Sequence, residues 1–243
     1  LDVIASGPTV PDSSTWQDAW AIVERHRLEA SLPPSIYHRL QEALAGTIAD
    51  TPKAGDRAFA EAHSVIIADN RVAALAAVAE ARRQGFNAEL LTTYLEGDAA
   101  QAAHLAVALA REIRVSGHPL QPPACLAMGG ETTVQLGTNP GKGGRNQTLA
   151  LTAALNLSEL PANEAIGITI AALATDGTDG PTDSAGGLVD AKTIARGDAQ
   201  GLDAEHHMEA DDAYPYLNAS GDLLITGPTR TNVNDLVLVF VDG

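Results

Sequence analysis

Two stretches of this 243-residue chain gather residue types that can do chemistry. The first, residues 128–147, reads Met-Gly-Gly-Glu-Thr-Thr-Val-Gln-Leu-Gly-Thr-Asn-Pro-Gly-Lys-Gly-Gly-Arg-Asn-Gln. Its glycines, Gly129 and Gly130, then Gly141, Gly143 and Gly144, lack Cβ atoms and let a backbone aim several N–H groups at one point. A helix starting directly afterwards adds a partial positive charge there. Such a place suits an anion, most often a phosphate. Lys142 and Arg145 bring side-chain charge, and an arginine can grip phosphate or carboxylate through two parallel hydrogen bonds. A hairpin whose glycines serve only tight turning is the plainer reading of the same residues. The second stretch, residues 175–187, holds Asp176, Asp179 and Asp183 in one loop. Three carboxylates so close repel one another unless a cation or proton intervenes. Hard oxygen ligands suit Mg²⁺, which is held by one or two carboxylates plus substrate phosphates. Asp-Gly and Asp-Ser pairs are also ordinary turn formers, and an aspartate there could cap a helix. On the loop alone the two readings stand level. Asn70, after Asp69, could contact a ligand or cap a helix, and Glu131 could bind metal or steady its loop. His206 and His207 lack a spaced partner and read as a solvated pair rather than a zinc site.

The elements that must position these residues follow from periodicity and punctuation. Residues 2–5 read as a strand, followed by a turn at Ser6, Gly7, Pro8 and Thr9. Helices are expected over 11–27 and 36–44, a β-branched strand over 64–68, and an alanine-rich helix over 71–84 closed by Gly85. With a strand over 88–94, this makes a parallel βαβ unit. A further helix spans 98–114, and the proline-rich passage 118–123 then leads into an apolar strand over 124–128. That passage is the expected domain boundary, dividing residues 1–119 from 120–243. A short strand over 132–136 is expected between the two glycine clusters, then a helix over 148–157 and a continuous apolar, buried strand over 166–174. Its carboxyl end discharges into the aspartate loop, where open α/β sheets place their ligands. A helix-compatible segment over 190–196, an acidic region and strands over 223–226 and 236–241 complete the chain.

Composition narrows the partners. A formal net charge of -16 repels nucleic acid and anionic membrane surfaces, so neither is expected as a partner. No apolar run approaches a membrane span. The single cysteine, Cys125, excludes an internal disulfide and reads as a buried residue of a cytoplasmic protein. The chain starts at Leu1 rather than Met and is expected to begin inside a longer protein. It has no G-x-x-x-x-G-K-[ST], so a P-loop is excluded, and no G-x-G-x-x-G between strand and helix, which counts against a Rossmann dehydrogenase.

Four motifs then become recognisable in order: Gly129-Gly130-Glu131-Thr132-Thr133; Gly143-Gly144-Arg145-Asn146-Gln147; residues 175–183; and residues 226–235, which include Thr229 and Asn232. With Ser6 to Thr9, Thr51-Pro52-Lys53 and Asp69-Asn70, they resemble the class II glycerate 2-kinase family, whose C-terminal part is the MOFRL domain. The resemblance implies an α/β protein in which a parallel-sheet, Rossmann-like portion of a first domain precedes a C-terminal α/β MOFRL-type domain, the active site lying in the cleft between them. It implies phosphorylation of D-glycerate at its 2-hydroxyl by ATP with Mg²⁺, with a homodimer among the possible assemblies. Arg145, Asp176 and Asp179 are then expected in catalysis, and Asp176, Asp179 and Asp183 around the metal. Gly129, Gly130, Glu131, Thr132, Thr133, Lys142, Gly143, Gly144, Asn146, Asn70, Thr229 and Asn232 are expected around substrate and phosphates. A lysine that family members use lies in a longer N-terminal part, Thr148 stands where an acidic residue is common, and Asp211-Asp212-Ala213 replaces an Asn-Asp-Ser pattern. The segment by itself is therefore expected to bind ligands without turnover. Family members have also been labelled NAD(P)H-dependent hydroxypyruvate reductases, and that activity or a non-catalytic binding module are the alternatives.

Overall fold

The computed structural model describes residues 10–243, so the strand and turn expected over residues 2–9 lie outside it. The chain divides between Ile67 and Ala68 into two compact units. In the first, helix α1 (Trp16–Arg25) opens with a capping box in which Thr15 accepts from the backbone N–H of Asp18 and Asp18 accepts from that of Thr15. Helix α2 (Pro34–Leu44) begins on a proline, whose missing N–H costs nothing at that position. Trp20 and Tyr37 meet edge to face at 6.1 Å, and Val23, Leu40 and Ala43 are buried. Residues 64–68, expected as a strand, pair with no strand among the described residues. Val65 and Ile67 are 80% and 93% exposed. Their β-branched side chains favour extended backbone, but a strand is stable only against a neighbour.

The second unit runs α3 (Asn70–Arg83), β1 (Asn87–Leu95), α4 (Ala99–Ser116), β2 (Ala124–Gly130), α5 (Arg145–Glu159), α6 (Ala162–Ala165), β3 (Ile168–Ala174) and β4 (Gly186–Asp190). It continues through α7 (Thr193–Asp198), α8 (Ala204–Glu209), α9 (Ala213–Ser220), β5 (Leu223–Leu224) and β6 (Asp235–Val241). The strands form one sheet in the order β1-β2-β6-β3-β4-β5. Only β1 and β2 pair in parallel; every later pairing is antiparallel. The α/β class is as expected, and the parallel βαβ unit is β1, α4 and β2, one strand later than the sequence reading had it. The proline-rich passage 118–123 accordingly links α4 to β2 inside this unit, whereas the spatial division falls at 67/68.

Alternation along the central strands explains the layering. Cys125 and Ala127 of β2, with Leu238 and Phe240 of β6, face Val78 and Ala81 of α3. Leu126 and Met128, with Val237, Val239 and Val241, face α4 and α5 on the other side. Alanines at 99, 102, 103, 106 and 110 bury the inner side of α4, and their small size lets it lie close to α5. Asp98 caps the start of α4, and Gly117, at φ 72°, ends it in the left-handed conformation. Cys125 is 1% exposed, and burial pushes its thiol up to about 11.

Two expectations around the glycine clusters change. Residues 132–136 form no strand; Thr133 makes a single bridge to Asp98. The helix expected from 148 starts at Arg145, so Arg145, Asn146 and Gln147 are its first turn.

Candidate functional site

The register of the three central strands sets the site. Gly130 ends β2, Asp235 begins β6 and Ala174 ends β3, and these three stand side by side in one row. The loops leaving that row are the motif loops. Thr175 donates its backbone N–H and its hydroxyl to the carbonyl of Asn234 at 3.0 and 2.7 Å. Thr229 returns its N–H to the Asp176 carbonyl and its hydroxyl to that of Thr175. Asn232 Nδ2 donates to Asp176 Oδ2 at 3.2 Å. Thus the second, third and fourth motifs, together with the first through Glu131, meet at one end of the sheet.

Arg145 is the centre of that meeting. Its Nε and Nη2 donate to the two carboxylate oxygens of Asp235 at 2.5 and 3.0 Å, and its Nη1 lies 3.0 Å from Glu131 Oε1. The Asp235 side chain is 6% exposed and that of Glu131 50%. The Asp235 hydrogen bonds raise the Arg145 pKa further, against a partial desolvation that lowers it. Asn70 holds the strand end beneath: its Nδ2 donates to the carbonyls of Val233 and Asp235 at 2.8 and 2.9 Å. The cap of α3 is Asp69, not Asn70. Gly129 is needed where it stands, because a Cβ there would lie 1.8 Å from Asn70 Oδ1.

Asp179 has a different place from the one expected of a metal ligand. It is 2% exposed and accepts from the backbone N–H groups of Asn146 and Gln147 at 3.1 and 2.9 Å and from both their side-chain amides. Gly144, at the N-cap of α5, offers no side chain, and Asp179 reaches in from another loop to cap the helix in its stead. The anion-binding helix start read from the glycines is thus filled by the protein's own carboxylate. Burial pushes the Asp179 carboxyl up, and the hydrogen bonds from Gln147 and Asn146 pull it part of the way back. Gly144 and Gly180 allow the two loops to touch: a Cβ on Gly180 would lie 2.3 Å from the Gly143 carbonyl oxygen.

Asp183 turns away to accept from the Tyr214 hydroxyl at 2.7 Å, which lowers its pKa and raises that of Tyr214. Lys142 lies 3.7 Å over the Tyr214 ring. Asp176 accepts from Thr178 and Asn232. The three aspartates therefore do not gather, and among the described residues no group of three or more acidic, histidine or cysteine side chains could hold a metal.

A cavity of about 360 Å³ opens beside Arg145, lined by Glu131, Thr132, Thr133, Gly143, Gly144 and Asp179 among others. Asn70, Lys142, Asp176, Asp183, Thr229 and Asn232 stand outside its lining. A second cavity of about 530 Å³, formed by residues 93–97 with Gly130 and Asn234, shares Glu131 and Thr133 with the first.

Comparison with known proteins places this arrangement. The MOFRL family model matches residues 124–235, and a domain of unknown function, DUF4147, matches residues 1–41. The chain is 41% identical over 241 residues to glycerate 2-kinase of Pyrococcus horikoshii, covering 99% of this chain and 53% of that protein. It is 32% identical to glycerate kinase of Macaca fascicularis, covering 99% of this chain and 69% of the other. The chain belongs to the MOFRL glycerate 2-kinase family. The crystal structure of glycerate kinase from Thermotoga maritima superposes with a TM-score of 0.77 at 39% identity, over 99% of this chain and 54% of that one. This MOFRL-family chain spans about half the length of the archaeal and bacterial relatives it matches. The MOFRL match begins at residue 124, where the proline-rich passage ends.

The residue that sequence reasoning missed is Asp235. Its signal was present: a lone carboxylate heads the apolar run of β6, and a charge entering a buried strand requires a cation to meet it. No helix among the described residues is long and apolar enough to cross a membrane.

Proposed function

We propose that the protein containing this chain is a D-glycerate 2-kinase, transferring the γ-phosphoryl group of ATP to the 2-hydroxyl of D-glycerate. The hydroxyl oxygen attacks phosphorus, the bond to the β-phosphate oxygen breaks, ADP leaves and the hydroxyl proton is released. The observation that carries this reading is the Arg145 guanidinium, oriented by a buried carboxylate beside a glycine-lined cavity, in a chain 41% identical to a glycerate 2-kinase. Phosphoryl transfer asks for charge stabilisation and in-line positioning rather than covalent chemistry. Arg145 supplies the first, and the Thr132, Thr133 and Gly143 walls supply the second. Asp179 acts one step back by fixing the helix turn that carries Arg145.

A Mg²⁺ ion bound chiefly by the nucleotide's phosphates needs only one or two protein carboxylates, and the described residues form no three-aspartate cage. Asp176 is the part-exposed aspartate of the three and would provide that ligand, the ion neutralising phosphate charge. We place the protein in the cytoplasm as a small-molecule enzyme without nucleic-acid or membrane partners, in keeping with its net charge of -16.

The test is to supply the full-length protein with MgATP and D-glycerate and identify the product by phosphorus NMR. 2-Phosphoglycerate is expected. Oxidation of NAD(P)H by hydroxypyruvate with no ATP consumption would overturn the proposal in favour of a reductase.

A further inference from the structure

Arg145 is held by two carboxylates that differ in one respect. Asp235 is bidentate and nearly sealed from water, whereas Glu131 pairs at Nη1 and is half exposed. Removing a partner from a buried ion pair strands an unpaired charge and is costly, while an exposed ion pair contributes little. An incoming oxyanion can therefore take Nη1 from Glu131 but cannot take Nε and Nη2 from Asp235. Glu131 also lines both cavities and is half exposed, so a carboxylate leaving Nη1 has open space to turn into.

We infer that Glu131 is a displaceable placeholder on Arg145, occupying the position of the substrate's oxyanion until it arrives, and that Asp235 is the permanent positioning residue that keeps the open edge of Arg145 aimed at the cavity. This rests on the kinase reading for the identity of the substrate, but not for the exchange itself. Charge balance favours the exchange: one arginine facing two carboxylates carries an excess negative charge that an oxyanion would meet as repulsion, and swinging Glu131 outward removes it. With Asp235 fixed, the site then offers one directed N–H edge and one negative charge fewer, Asp179 and Asp211 remaining in the lining. That matches a singly charged carboxylate, or a phosphate whose remaining charge a cation covers. Asn70 contributes at one remove, by holding the Asp235 carbonyl and so the start of β6.

The two carboxylates are separated by opposite effects on anion affinity. Calorimetric titration of the full-length protein with D-glycerate and, separately, with inorganic phosphate is compared for wild type, E131Q, D235N and R145A. E131Q is expected to bind whichever anion the wild type binds about two- to fivefold more tightly, the scale of one exposed competing ion pair. D235N should bind it at least about tenfold more weakly, because the guanidinium loses its orientation, and R145A should not bind it. Unchanged or weakened binding by E131Q overturns the placeholder. Equal binding by D235N and wild type overturns the positioning role, as does wild type binding neither anion. If D235N does not fold, E131Q against R145A still decides the exchange. A wild type that binds anions in this pattern yet consumes no ATP would sink the kinase reading while leaving the placeholder standing.

Discussion

Arg145 and Asp179 were both legible as charged residues at glycine-rich turns, yet their roles divided once the chain folded. Arg145→Lys keeps the charge but loses the planar fork, so under the proposed kinase activity kcat should fall by a factor on the order of 10²–10³. The same change leaves a buried oxygen of Asp235 without its donor, at a cost of about 1–3 kcal/mol; steady-state kinetics and a denaturant melt read the two effects separately. Asp179 lends itself to a pH experiment. Its carboxyl is held above the ordinary 3.8 by burial, so the folded state binds that proton more tightly than the unfolded chain. Its contribution to stability is fully present below 3.8 and is lost as pH rises through the raised value. The difference in urea midpoint between wild type and Asp179→Asn should therefore change across this window and level off above it; a difference independent of pH would show that Asp179 titrates as in water. The loop's composition could not decide between cap and metal ligand, because the deciding fact is the bare Gly144 N-cap of α5, brought against Asp179 from 35 positions earlier in the chain.

At the scale of elements, the segments legible in advance carry their own punctuation. Helix α4 has Asp98 before it and Gly117 after it, and β3 and β6 are uninterrupted apolar runs. The missed ones depend on neighbours. Strand β4 begins with Gly186 and Gly187 and exists because β3 and β5 pair with it on either side, and α9 carries Pro215 just after the acidic region that ends at Asp212. Conversely, the β-branched residues 64–68 had the propensity and lacked the partner. The loop after β3 depends on Gly177, whose φ of +89° and 2.1 Å approach to the Gly227 carbonyl oxygen exclude a side chain. Gly177→Ala should cost well over the roughly 1–2 kcal/mol of a left-handed residue, since backbone must also move. Gly227→Ala, at φ +67° with nothing within 4 Å, should cost only that conformational term. Equal losses in thermal unfolding would mean that the two loops do not touch in solution.

The whole molecule carries its charge unevenly: a formal -16 surrounds a site built on one directed arginine. Self-repulsion of that size is screened over about 10 Å at 0.1 M salt, so the melting temperature should climb as sodium chloride is raised from about 10 mM to about 300 mM. A flat or falling curve would mean that ion pairs such as that of Arg196 with Asp222 outweigh the general repulsion. The order of strands in the sheet has a consequence for the making of the protein. Strand β6 lies between β2 and β3, yet it is translated after all the other five. Until residues 235–241 leave the ribosome, β2 and β3 face each other across an unfilled row, each with an open edge of the kind that invites mispairing. The same seven residues deliver Asp235 to Arg145. A nascent chain halted just short of them would be a client for chaperones, and the Arg145–Asp235 contact and the closure of the sheet would arrive in a single event of synthesis.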